Sequence, residues 1–143
     1  MGVDPAVCLT APTTEFGVRQ ILLDLNQKLA HLQIEEDARS NVELVMAEAL
    51  NNVVKHAFPS CDDAWVTLKM LTRTESLLFE VIDRGLAYPE GVLPRGNLPD
   101  NTVSTDQLPE GGFGWHIIRS LTTWVEYHRI KGENRLILKM RRS

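Results

Sequence analysis

The sequence has little of what marks several large classes of protein. It has only two cysteines, Cys8 and Cys61, outside any Cys-x-x-Cys pair, which argues against a disulfide scaffold and against a zinc cluster. No stretch approaches the roughly 20 apolar residues that span a bilayer, and the start lacks the charged and apolar segments of a signal peptide. We therefore expect a cytoplasmic protein without membrane attachment.

Positive charge is also scarce. The formal net charge is −4, and lysine and arginine do not cluster except at residues 139–142. Proteins that bind a nucleic-acid backbone do so largely through such clusters. Direct nucleic-acid binding is therefore not expected.

What is present suits one folded domain. The chain has 143 residues, of which 43% are hydrophobic and 24% charged, as in ordinary globular proteins. This length is close to the commonest domain size and allows a substantial core. We therefore predict a single domain over residues 1–143.

Hydrophobic spacing predicts the secondary structure. Helical periodicity marks three segments, the first preceded by possible capping threonines: residues 15–31, 35–57 and 113–121. Strand-like patterns mark five segments: residues 6–11, 64–71, 77–83, 123–130 and 135–140. Residues 84–112 follow neither period and are punctuated by proline and glycine, which predicts a long loop. The order predicts an α+β two-layer sandwich, a mostly antiparallel sheet with helices on one face.

The second predicted helix carries an unusual polar line. Glu48, Asn52 and His56 are spaced four apart, with Lys55 beside them. A solvated helix face is the ordinary explanation of such a line. However, two successive asparagines among buried-looking apolar residues lower helix propensity unless a polar partner faces them. Magnesium with triphosphate oxygens is such a partner, and Glu48 would then lie close enough to act as a base.

Two glycine-containing segments are each weak signals alone. Asp83 ends an apolar strand and Gly85 follows, a pattern that often marks only a turn. Gly112 and Gly114 lie at the start of the last helix, where uncovered backbone amides and the helix dipole favour phosphate. The alternative for this second segment is a flexible hinge.

Together the three segments resemble the ATP site of the GHKL, or Bergerat-fold, ATPases, over roughly residues 10–140. They have the form Glu-Ala-x-x-Asn, Asp-x-Gly and Gly-Gly-x-Gly, in the order that this superfamily shows. The short chain and the sequences around Glu48 and Gly112 are similar to those of the anti-sigma factor serine kinases of bacterial partner-switching systems.

The resemblance implies a role for each matching residue. Asn52 would bind Mg²⁺, Glu48 would be the general base toward a substrate serine, and Asp83 would accept the adenine amino group. Residues 84–111 would form an ATP lid. The remaining implied ATP-binding residues are Lys55, His56, Gly85, Gly112, Phe113 and Gly114.

The chain departs from the family pattern at two places near the expected adenine site. Ala87 stands where a second glycine often follows Asp-x-Gly, and residues 132–134 read Gly-Glu-Asn where many members have Gly-Thr. The contacts on the adenine side are therefore expected to differ. Trp115 and Trp124 are expected in the core rather than at a partner surface.

The resemblance also implies function and partners. The protein would use ATP and Mg²⁺ to phosphorylate a serine of a small antagonist protein. It would bind alternately that antagonist and a target such as a sigma factor, and it would form a homodimer. Two alternatives remain open: a non-catalytic module that binds nucleotide and protein, and the catalytic domain of a histidine kinase.

Overall fold

The structure, a computed structural model, describes residues 6–57, 64–94 and 112–143. Three helices form in these ranges: α1 (Glu15–His31), α2 (Glu36–Asn52) and α3 (Gly112–Leu121). Five strands form: β1 (Val7–Pro12), β2 (Trp65–Thr72), β3 (Ser76–Asp83), β4 (Trp124–Ile130) and β5 (Glu133–Arg141). None of the helices that the structure describes is long and apolar enough to cross a membrane.

The strands make one antiparallel sheet in the order β1-β2-β3-β5-β4. Along β3 and β5 buried residues alternate with half-buried or exposed ones, as expected when one sheet face is covered. The buried residues of these strands pack with apolar residues of all three helices in one hydrophobic cluster. The predicted α+β sandwich with helices on one face is therefore confirmed.

The first helix begins where its sequence predicts. Thr14 has extended backbone angles, and its Oγ1 accepts a hydrogen bond from the Gly17 amide at 3.0 Å, which is an N-cap. Gly17 lies directly against β1, because a Cβ there would come within 2.0 Å of the Pro12 carbonyl oxygen. This close approach fixes α1 against the end of the first strand.

Gly17→Ala should therefore destabilise the fold. Alanine normally favours a helix, but here its methyl group meets backbone that cannot rotate away, and overpacking of this kind costs about 1–3 kcal/mol. Urea unfolding measures this loss as a lower midpoint at an unchanged slope. A variant as stable as wild type would contradict the packing described here.

Two details differ from the sequence prediction. The second helix stays α-helical only to Asn52 and then makes one π-helical turn, Val53–Ala57.

Trp115 is buried as expected, but Trp124 is 56% exposed, so its expected core position is wrong. Trp124 lies on β4, an edge strand, opposite Lys139 on the sheet face away from the helices, where its indole N–H donates to Glu126. Periodicity alone does not show that β4 has only one neighbour.

Candidate functional site

Three polar side chains are buried among the residues that the structure describes: Asn52, Asp83 and Asn134. Their exposed fractions are only 4%, 5% and 4%, while every other buried side chain in these ranges is apolar. Burying polar groups costs free energy unless they find partners. Two of the three are residues to which the sequence motifs assign a role in nucleotide binding.

Asn52 lies in the last turn of α2, directly before the π-helical turn. Its side-chain Nδ2 is buried and has no hydrogen-bond partner among the residues that the structure describes. A buried, unsatisfied polar group costs roughly 1–3 kcal/mol. Such a group is a candidate ligand contact, because a bound polar ligand would supply the missing partner.

Glu48 and Gly114, which are distant in sequence, are neighbours in space. A Cβ built at Gly114 would be 2.5 Å from the Glu48 Oε2 and 3.4 Å from its Cδ. The Glu48 carboxylate therefore lies against the first turn of α3, where free backbone amides and the helix dipole favour negative charge. The first and third sequence motifs thus meet at one place.

Gly114→Ala tests this arrangement. The new methyl group would displace the end of the Glu48 side chain, which can rotate, so we expect stability within about 1 kcal/mol of wild type. If Glu48 is the base that the resemblance implies, the phosphate transfer expected of the protein should fall about 100-fold, the typical cost of misplacing a catalytic group by roughly 1 Å. Transfer assays and thermal melts measure the two effects. Transfer at the wild-type rate by Gly114→Ala would contradict a function for this contact. Gly17→Ala is a useful comparison, because that variant is expected to lose stability whereas Gly114→Ala is not.

Asp83 ends β3 with its carboxylate held from one side. Its Oδ1 accepts the Gly85 amide at 2.8 Å and the Asn134 Nδ2 at 3.0 Å. Burial raises the pKa of the Asp83 carboxyl above its usual range, while the bonds from Asn134 and Gly85 and the charge of Arg129 oppose that rise. A carboxyl group whose pKa is perturbed by burial is a mark of functional sites.

Gly85 is buried, and its carbonyl oxygen accepts a hydrogen bond from the Arg129 Nη1 at 2.6 Å. The turn itself does not require glycine, since Gly85 is not among the residues with positive φ. The Asx turn that the ordinary interpretation predicts does form, through the Asp83–Gly85 bond. The absence of a side chain at position 85 therefore fits a close approach by a ligand.

Aromatic contacts connect the segment after Asp83 with α3 and with β4. The Tyr88 ring meets the Trp115 ring edge-on at 6.0 Å and the Tyr127 ring edge-on at 5.1 Å. Burial, with a smaller contribution from the Asp83 charge, raises the pKa of Tyr88 to about 12. Tyr88 thus lies between the Asp83 region and the helix that carries Gly114.

The remaining sequence-predicted residues are placed less fully. Lys55 is exposed in the π-helical turn that follows Asn52, and the backbone of His56 lies in the same turn. Gly112 and Phe113 begin α3. Of the predicted lid, the structure describes residues 84–94, with a 3₁₀ turn at Pro89–Gly91, and residues 95–111 lie outside the described ranges.

Sequence reasoning missed the residues that surround Asp83 on the sheet. These residues are Tyr127, Arg129 and Asn134. Asn134 bonds to Asp83 and to the other two, and all three bond to the segment that follows Asp83. The only signal was the departure from Gly-Thr at residues 132–134. Nothing in the spacing shows that β4 and β5 fold back beside β3.

The residues present fit a divalent cation held together with a nucleotide. The described residues contain no group of three or more histidine, cysteine, aspartate or glutamate side chains that would hold a metal alone. Mg²⁺ commonly takes one or two protein ligands and completes its shell with phosphates and water. The buried Asn52 amide suits such a site, because its oxygen would be a hard ligand for the cation and its unpaired nitrogen would donate to a phosphate oxygen.

Fold and site together match a known class. A family model described as the histidine kinase-like ATPase domain matches residues 11–142. The chain therefore belongs to the histidine kinase-like ATPase family, which confirms the resemblance to GHKL ATPases.

Relatives within the family are protein serine kinases. The chain is 32% identical over 101 residues to the serine/threonine-protein kinase BtrW of Bordetella bronchiseptica, covering 70% of this chain and 68% of BtrW. It is 30% identical over 95 residues to the serine-protein kinase RsbW of Bacillus pumilus, covering 64% of this chain and 59% of RsbW. The expected similarity to this group of kinases is thus confirmed.

Solved structures agree on the fold. The RsbU and RsbW domains of a Mycobacterium tuberculosis protein match with a TM-score of 0.63 at 16% identity, over 97% of this chain. The chain spans 32% of that longer protein. The catalytic domain of the histidine kinase ThkA matches with a TM-score of 0.53 at 14% identity, covering 87% of this chain and 90% of that domain. At these identities the likeness shows the fold alone.

Proposed function

We propose that the protein is an ATP-dependent protein serine kinase that phosphorylates a small antagonist protein. The observation that carries this proposal is that the motif residues are buried or closely packed: Asn52 and Asp83 are buried, and Glu48 contacts Gly114. The chain is also similar in sequence to two protein serine kinases. A fold alone would not select this function. The steps proposed below assign a role to each of these residues.

Phosphoryl transfer needs positioning and charge stabilisation more than covalent chemistry from the protein. Asp83 would accept the amino group of adenine, and the base would lie against Gly85. The substrate serine Oγ would attack the γ-phosphorus while the bond from that phosphorus to the β–γ bridging oxygen breaks, so that ADP leaves. Glu48 would take the proton of the serine hydroxyl.

Asn52 would hold Mg²⁺ through its amide oxygen, and Mg²⁺ when bound neutralises charge on the phosphate oxygens. The backbone amides at Gly112, Phe113 and Gly114 would donate to phosphate from the start of α3. Lys55 and His56 would line the site from the π-helical turn. Residues 84–111 would act as the ATP lid of a single domain over residues 1–143.

The same resemblance supports partner switching in the cytoplasm. The kinase would bind the unphosphorylated antagonist or a regulatory target such as a sigma factor, and it would act as a homodimer. A phosphate at a fitted interface adds charge that must be desolvated, so the phosphorylated antagonist would bind poorly. The target would then be held by the kinase.

Incubation with γ-labelled ATP, Mg²⁺ and candidate antagonist proteins tests the proposal. We expect labelling of one antagonist on serine, located by mass spectrometry, and no labelling when EDTA removes the cation. Acid-labile phosphohistidine would instead identify a histidine kinase domain. Nucleotide binding without transfer to any candidate would favour the non-catalytic module.

A further inference from the structure

Asn134 satisfies its whole amide group inside the sheet. Its Nδ2 donates to Asp83 Oδ1 at 3.0 Å and to the Leu86 carbonyl at 2.8 Å. Its Oδ1 accepts the Tyr127 hydroxyl and the Arg129 Nη1, at 2.5 and 3.0 Å. A primary amide has two donor hydrogens and two acceptor lone pairs, so this side chain is used completely and its orientation is fixed.

The position of Asn134 in the sheet explains how it reaches these groups. Asn134 on β5 is directly opposite Asp83 on β3 and directly opposite Arg129 on β4. The three side chains therefore form one row across neighbouring strands. The row lies where β3 leaves the sheet and the loop toward the predicted lid begins.

The same hairpin also holds the chain that follows Asp83. The Arg129 Nη1 donates to the Gly85 carbonyl, Asn134 donates to the Leu86 carbonyl, and the Tyr88 amide donates to the Tyr127 hydroxyl. Three side chains of β4 and β5 thus fix the backbone immediately after the Asp-x-Gly motif. This is the segment in which Ala87 departs from the family pattern.

The result for Asp83 is an unequal carboxylate. Oδ1 already accepts two hydrogen bonds, from Gly85 and Asn134, whereas no described residue donates to Oδ2. A carboxylate with both oxygens free would rotate between equivalent orientations. Here one oxygen is held, and the other has no donor within residues 6–57, 64–94 and 112–143.

We propose that Asn134 is a positioning residue for nucleobase recognition, which fixes the Asp83 carboxylate so that its free oxygen accepts the 6-amino group of adenine. This inference rests on the proposed function, since it assumes that Asp83 binds the base. Asn134 itself need not touch the nucleotide. Its effect is to make the selectivity for a 6-amino purine depend on a residue of the last strand.

A chemical double-mutant cycle tests the inference. Calorimetry would compare ADP with purine riboside 5′-diphosphate, which lacks only the 6-amino group, on wild type and on Asn134→Leu. For wild type we expect ADP to bind roughly 10- to 100-fold more tightly, the range for a hydrogen bond to a charged group. For Asn134→Leu the preference should fall to within about threefold, because Asp83 Oδ1 then keeps only the Gly85 bond, which by itself does not fix the orientation of the carboxylate.

Matched measurements separate positioning from a general loss of structure. His128→Asn, on the exposed side of the same hairpin, should keep the wild-type preference, and circular dichroism should show both variants folded. If Asn134→Leu does not fold, Asn134→Ser replaces it, because the serine hydroxyl is too short to bridge Asp83 and Leu86. Saturating transfer by the Asn134 variant should stay within about threefold of wild type, since Glu48 is untouched.

The outcomes distinguish this inference from the proposed function. A folded Asn134 variant that keeps the full preference for ADP overturns the positioning role while the kinase proposal stands. Wild type that binds both nucleotides equally shows that Asp83 does not read the amino group, and this also overturns the inference. Wild type that binds neither nucleotide contradicts the proposed function itself.

Discussion

Asn52→Ala should greatly reduce phosphate transfer while leaving the protein about as stable as wild type. Asn52 is the proposed Mg²⁺ ligand, and a bound metal contributes several kcal/mol to stabilising the transition state, so we expect a loss of about 1,000-fold. Stability should change little, because the substitution removes a buried donor that has no partner in the described part of the chain. The desolvation penalty that this donor imposes, about 1–3 kcal/mol, offsets the packing that is lost.

The measurement is transfer of labelled phosphate to an antagonist over a range of Mg²⁺ concentrations, with thermal melts alongside. Asn41→Ala provides the matched control, because Asn41 is exposed on the same helix and should keep full activity. Transfer by Asn52→Ala at the wild-type rate would remove the metal assignment. A large drop in stability would instead point to a structural role.

Glu48→Gln should separate chemistry from binding. Glutamine has nearly the same shape as glutamate but cannot accept the serine proton, and general base catalysis typically contributes 10²- to 10⁴-fold. We therefore expect transfer to fall by about that factor while nucleotide affinity stays within about threefold of wild type. Calorimetry with ADP and single-turnover transfer assays measure the two quantities.

Glu43→Gln is the control for this substitution, since Glu43 is also on α2 and is exposed. Full transfer by Glu48→Gln would show that the carboxylate next to Gly114 is not the base. Parallel loss of binding and transfer would assign Glu48 to nucleotide binding instead. Only retained binding with lost transfer supports the kinase mechanism as proposed.

Much of the fold was predictable from local patterns. Helix α1 has the predicted bounds, and Thr14 is its cap, because apolar spacing and capping chemistry are properties of neighbouring residues. The end of α2 was less predictable. The change to a π-helical turn after Asn52 depends on how the helix packs, and hydrophobic periodicity does not record it.

The candidate site divides in the same way. Residue type and spacing drew attention to Glu48, Asn52 and Asp83, and the resemblance to GHKL ATPases supplied the roles expected of them. Only the asparagine pair is unfavourable where it stands, inside a helix. The tryptophans show the limit of such reasoning. Trp115 and Trp124 belong to a segment predicted as a helix and a segment predicted as a strand, and both were expected in the core. Only Trp115 is buried, since Trp124 is on an edge strand.

The sequence by itself determined the class of fold, the order of its elements and the three motifs that identify the family. Only the tertiary structure decided that Glu48 lies against Gly114 and that Asn134 holds Asp83. The first kind of information is carried by residues within a few positions of one another. The second depends on strand register and helix packing, which bring together residues more than fifty positions apart and are set by the whole core at once.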